Sequence, residues 1–294
     1  MAKPALTCAA RTAAMSTAPV PPPLRQALSS LGSWTAYFRA AEIPILAETA
    51  DALELLRANE DAVDANRLGE MLATDPLMTL RVLVHAAEHR SQRLLSDAET
   101  VTAALVLIGI TPFFRDFTGV ATVEDRLADN PAALDGLNRV LRRANRAARF
   151  ALGFAAHHAD PDAAVIHSAA LLHDFAEMLL WIHAPALALE IRQRQQADRT
   201  LRSAAVQREV LHIELADLEQ ALMDAWRLPE LLKRVTNDKR GNDLQIQYVR
   251  LAVRLARHTA DGWDDAAIPD DLAEIGEMLN LGPAPTLKLL KEFD

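Results

Sequence analysis

From Leu24 onward apolar residues recur every three or four positions, as at Leu24, Leu28, Leu31 and Phe38, and few windows alternate as strands do. A chain with that period presents its apolar side chains as a stripe along a helix. Such stripes are buried by packing helix on helix. Only 10 of the 294 residues are glycine and 50% are hydrophobic, which gives ample core material and little for a turn-rich β architecture. The expected fold class is all-α, a multi-helix bundle.

Helix starts are written in three places. Asp75-Pro76 and Asp160-Pro161 each set an acceptor side chain before a proline suited to the first helical position. Ser96-Asp97-Ala98-Glu99 has capping-box spacing, and the helix after it runs through Val101, Leu105 and Ile108 to a stop at Gly109. Leu201 to Trp226 reads as one long amphipathic helix closed by Arg227-Leu228-Pro229, with another helix beginning at that proline. The polar run Asn237 to Asp243 is the best boundary in the chain. Beyond it Leu244 to His258 is helical, with shorter pieces at Leu272 to Leu279 and Thr286 to Leu290. No solenoid repeat is visible. The expected division is a disordered Ala/Pro-rich tail over 1–23, a helical domain over 24–240 and a C-terminal helical extension over 241–294.

A net charge of -9 opposes nucleic acid and anionic membrane at long range. No apolar run is read as reaching the ~20 residues that cross a bilayer, and the start of the chain lacks secretory features. The single cysteine, Cys8, cannot form an intrachain disulfide. A cytoplasmic protein without nucleic-acid or membrane partners is expected.

The chemically suggestive stretch is Leu171-Leu172-His173-Asp174-Phe175-Ala176-Glu177-Met178. Adjacent His and Asp can ligate a metal, and Glu177 lies four residues after His173 on the same helical face, which makes a possible three-donor cluster. A divalent ion needs four to six donors, and His157, His158, His167, His183 and His212 have no spacing that supplies the rest. The pair is therefore read as a buried, mutually hydrogen-bonded polar pair, with metal binding as the alternative. His157-His158 reads as a solvated loop. His85, His89 and His258 lie in ordinary helical segments and are read as having no ligand-like partner three or four residues away. No Gly-x-Ser-x-Gly elbow or Gly-rich phosphate loop is present. No catalytic residue and no cofactor is assigned.

Four segments in order carry a resemblance. Asp75-Pro76-Leu77-Met78 resembles the DP-containing helix of the HDOD family, and Thr100 to Gly109 resembles its next helix with an LG-type stop. Ala169-Ala170-Leu171-Leu172-His173-Asp174 resembles its AGLLHD segment, and Ala225-Trp226-Arg227-Leu228-Pro229 its WgLP signature. The likeness spans roughly residues 43 to 238. It implies an HD-domain-like helical fold, a kinship with HD-domain phosphohydrolases, and a regulatory role in bacterial signal transduction through protein contacts. The departures carry information. Arg143 stands where HD enzymes place a histidine, Phe175-Ala176-Glu177 replaces Ile-Gly-Lys, and Asn237-Asp238 replaces paired histidines. Relative to the enzymes, the resemblance implies a fold without hydrolysis. A divergent HD-type metal-dependent phosphohydrolase of nucleotides or cyclic nucleotides, with His173 and Asp174 as ligands, is the alternative.

One stripe suggests a binding surface. Arg139, Arg142, Arg143, Arg146 and Arg149 fall within an arc of roughly 120° on one helix. Guanidinium forks suit phosphate or carboxylate, so an acidic signalling partner or an anionic second messenger could dock there. The competing reading is a solvated helix face. Trp226, Trp34, Tyr37 and Phe38 are read as packing anchors.

Overall fold

The computed structural model describes residues 22–89, 98–198, 200–239, 241 and 243–294. The expected tail up to residue 21, and Ser96 and Asp97 of the expected capping box, lie outside the described residues. The chain folds as α1 (Leu31–Ala40), α2 (Ala47–Arg57), α3 (Ala65–Leu72), α4 (Pro76–Glu88), α5 (Val101–Ile108), α6 (Ile110–Phe117) and α7 (Val123–Arg126). There follow α8 (Pro131–His157), α9 (Ala163–Leu172), α10 (Phe175–His183), α11 (Pro185–Ala197), α12 (Ser203–Leu211) and α13 (Leu215–Ala225). The C-terminal helices are α14 (Glu230–Val235), α15 (Leu244–His258), α16 (Ile268–Leu279) and α17 (Pro283–Phe293). Among the described residues extended pairing is limited to one bridge between Ile45 and Thr122. The all-α expectation holds.

Local chemistry sets many of the starts. Asp75 caps α4 by accepting from the backbone N–H groups of Leu77 and Met78, with Pro76 in the first turn. The same buried carboxylate accepts from Thr49 Oγ1 at 2.7 Å and from Leu46 N, so a helix cap also ties α2 to α4. α5 starts at Val101, capped by Thr100, and ends at Gly109, whose φ of 85° needs glycine. The second expected start moves by two residues. Asp160 accepts from Asp162 N in a turn, and α9 begins at Ala163.

The centre of the molecule is α8, 27 residues long. Its buried Ala144, Ala147, Ala148 and Ala151 form a small-residue face that lets neighbouring helices approach closely, and α9 and α15 pack most extensively against it. Gly136 gives the Trp181 ring of α10 its seat, because a β-carbon there would overlap the ring. Gly153 does the same for Phe293 of α17. The helix after the polar loop at 237–243 is thus part of the central packing. Tyr248, Val249, Leu251, Ala252 and Leu255 of α15 all lie in the same core as α8 and α9.

Two expectations about helix continuity are corrected. The span Leu201 to Trp226 is two helices, α12 and α13, broken at His212 in the left-handed region with φ 64°. The run Ala163–His183 is long and apolar enough by length and composition to cross a membrane, contrary to the sequence reading. It is divided into α9 and α10 at His173-Asp174, and its apolar side chains face the core. The expected packing anchors are buried: Trp34 and Phe38 stack at 5.6 Å between centroids, and Trp34 Nε1 donates to Leu211 O. Tyr37 is half-buried, edge-on to Phe38.

Candidate functional site

α9 ends at Leu172 and α10 begins at Phe175, so His173 and Asp174 occupy the turn between two helices. The straight-helix picture that set Glu177 beside His173 therefore fails. Glu177 lies in the first turn of α10 and faces α8, where Arg143 Nη2 donates to its Oε2 at 2.6 Å. Trp181 Nε1 donates to its Oε1 at 3.4 Å.

Asp174 is the hub. Arg143 donates to Asp174 Oδ2 from Nε at 3.0 Å and from Nη2 at 2.8 Å. Arg257, from α15, donates to Oδ1 at 2.6 Å, and His173 Nδ1 lies 3.2 Å from the same oxygen. The other imidazole nitrogen, Nε2, lies 3.3 Å from Asp238 Oδ2. Asn237, beside Asp238, donates to Gln220 Oε1. The two residues that stand in place of paired histidines thus make specific contacts, and one of them closes on His173.

The electrostatics follow from these contacts. Burial would lower the His173 pKa, but hydrogen bonds to Asp174 and Asp238 outweigh it and raise the value to about 10. The ring is then an imidazolium that donates from both nitrogens. Burial pushes Asp174 the other way, yet Arg257, Arg143 and His173 hold its carboxyl well below the ordinary range. Arg143 stays charged despite burial because Glu177 and Asp174 flank it.

His173 has a consequence that can be measured. Its folded pKa exceeds its ordinary value of 6.5, so its stabilising contribution is complete below about pH 6.5 and is lost as pH rises through about 10. The urea midpoint should therefore decline across that window, and His173→Gln should flatten the decline. Parallel curves for the two proteins would rule out the imidazolium.

The donor set does not suit a divalent metal. Both Asp174 oxygens accept from guanidinium groups, a doubly donating His173 offers no lone pair, and Arg143 adds a cation beside them. Among the described residues no group of three His, Cys, Asp or Glu side chains is arranged as a metal site. His167 lies half-buried within α9, where burial lowers its pKa, and most of the other histidines contact groups away from His173 and Asp174. His183 Nε2 lies 3.0 Å from Glu42 O, and His212 Nδ1 lies 3.4 Å from Leu28 O. His157 ends α8, exposed but with Nε2 3.0 Å from Leu279 O, and half-buried His158 stacks on Tyr248, so this pair is a helix end and not a loop. The expectation that His85 and His89 lack a partner at helical spacing is corrected: they lie four residues apart on α4 and its C-terminal end, and their rings stack at 4.1 Å.

The arginine stripe is divided among different neighbours. Arg139 donates to Asp135 one turn earlier. Arg143 is taken up by Asp174, of the His173-Asp174 dyad, and by Glu177. Arg146 donates to Asp294 and Thr259 O and lies over the Phe150 and Trp263 rings at 5.8 and 5.7 Å. Arg149 reaches the Phe293 and Asp294 carbonyls. Arg142 is exposed. Sequence reasoning missed Arg257 and Glu219, a buried acid of α13 near the dyad; each sits in an ordinary amphipathic helix far along the chain, and no local signal marks it.

Fold and site define a helical HD-like domain whose His-Asp pair is enclosed by arginines. The HDOD domain description matches residues 43–240, and the chain belongs to that family. The fold is similar to that of the MmoQ response regulator from Methylococcus capsulatus str. Bath, at TM-score 0.65 and 19% identity over 85% of this chain and 98% of that one. It is also similar to a virulence factor from Campylobacter jejuni, at TM-score 0.61 and 15% identity over 88% and 93%. No curated protein matches the chain.

Proposed function

We propose that this protein is a non-catalytic regulatory module of bacterial signal transduction, cytoplasmic, acting through contacts with a signalling partner. The observation that carries the reading is the closure of Asp174 by Arg143 and Arg257. Two fixed cations take the lone pairs that a metal would need, and Glu177 would repel a phosphate where a lysine would attract one. Family membership supports the signalling role, as does the shared fold with a protein described as a response regulator. An acidic partner would meet the one exposed, uncommitted arginine of the stripe among the described residues, Arg142.

The alternative, a divergent phosphohydrolase, needs metal on His173 and Asp174. Metal content should be negligible by plasma mass spectrometry in protein purified without chelator or affinity-tag metal, and equally so in His173→Ala. Near-stoichiometric Fe, Mn, Zn or Ni that disappears in the variant would replace the regulatory reading with the enzymatic one.

A further inference from the structure

Beside the dyad lies a cavity of about 430 Å³, walled by α8, α10, α11, α12 and α13. One side is apolar, with Val140, Leu180, Trp181, Ile191 and Leu215. The inner end is ionic. Four acids stand there, Asp174, Glu177, Glu219 and Asp238, against three cations, Arg143, Arg257 and His173.

The contacts match these groups unevenly. Arg143 serves Asp174 and Glu177, Arg257 serves Asp174, and His173 serves Asp174 and Asp238. Glu219 is only 4% exposed, yet among the described residues its carboxyl has no hydrogen bond and no contact ion pair. Burial raises its pKa well above the ordinary carboxylate range; Asp174 and Asp238 push the same way, and the longer-range charges of His173 and Arg257 oppose them without reversing it. A buried carboxyl without a partner is costly, and this one lines a cavity. Of the other charged lining residues, Arg139 and Arg192 share Asp135 and Glu214 pairs with Arg208, so among the described residues Glu219 is the lining acid left without a contact partner.

A cation with a directional donor would draw this raised carboxyl into its ionised form and give it the partner it lacks. An organic ammonium supplies both without the shell of oxygen or nitrogen ligands that a metal ion demands. An apolar or aromatic body attached to it would cover the Trp181 and Ile191 wall. We propose that this cavity binds a small organic amine, its ammonium on Glu219 and its apolar body against Trp181. The proposal rests on the guanidinium-closed dyad described under the proposed function.

The test is calorimetric titration of the full chain with benzylamine, benzyl alcohol and MnCl2, repeated on Glu219→Gln. Benzylamine should bind, benzyl alcohol should bind about tenfold more weakly or not at all, and Glu219→Gln should weaken benzylamine by about tenfold or more. Failure of benzylamine to bind, equal affinity for the alcohol, or undiminished affinity in the variant would each overturn the proposal. The comparison of the two probes on the unchanged chain decides the matter even if the variant folds poorly. Mn²⁺ binding at the dyad would overturn both this proposal and the regulatory reading, whereas absence of amine binding without Mn²⁺ binding would overturn this proposal alone.

Discussion

Replacing Arg143 with alanine is expected to destabilise the protein by about 3 kcal/mol, because it takes a principal counter-charge from the largely buried Asp174 and the half-buried Glu177. Asp174 would keep Arg257 and His173, but Glu177 would keep only the long hydrogen bond from Trp181. The loss should be read from urea unfolding at neutral pH. Arg143→Lys should recover part of it, since an ammonium restores charge without the fork that spans both carboxylates. A double-mutant cycle with Glu177→Gln isolates the pair, and its coupling should be favourable. A loss below about 1 kcal/mol, the scale of an exposed pair, would mean that water from the cavity solvates the acids and that the dyad is not sealed by arginine.

Trp226→Ala should cost a similar amount, about 3–5 kcal/mol, by deleting a large ring from the core. The ring is 3% exposed and lies against Phe175 at 5.8 Å between centroids. Phe175 opens α10 immediately after Asp174, so a void there loosens the helix that aims Glu177. The stability loss should therefore come with a shallower dependence of the urea midpoint on alkaline pH, as His173 loses its held geometry. A small loss with an unchanged pH profile would place Trp226 at a surface open to partners.

The helical class and several boundaries were legible because their causes are local. Asp75-Pro76 carries its own cap, and the apolar period of α8 and α15 needs no tertiary information. Three departures from the enzymes were also legible, and the structure shows what they do: Arg143 meets Asp174 and Glu177, and Asp238 meets His173. The rest depends on distant partners. Neither the break at His173-Asp174 nor the one at His212 contains glycine or proline, so local propensity favours continuing the helix and packing decides against it. The arginine stripe was correct as geometry on one helix, but α15 and the end of α17 lie alongside it. Arg257 and the unmatched Glu219 come together with the dyad only through the fold.

Arg257 and the buried face of α15 lie past residue 240, where the likeness to the family ends. The stretch by which the family is recognised therefore leaves out a helix that completes the core. A fragment cut at that edge would bare the small-residue faces of α8 and α9 and leave one oxygen of Asp174 without its guanidinium. Such a fragment would aggregate through those faces, and a signalling defect seen with it would report on collapse of the scaffold.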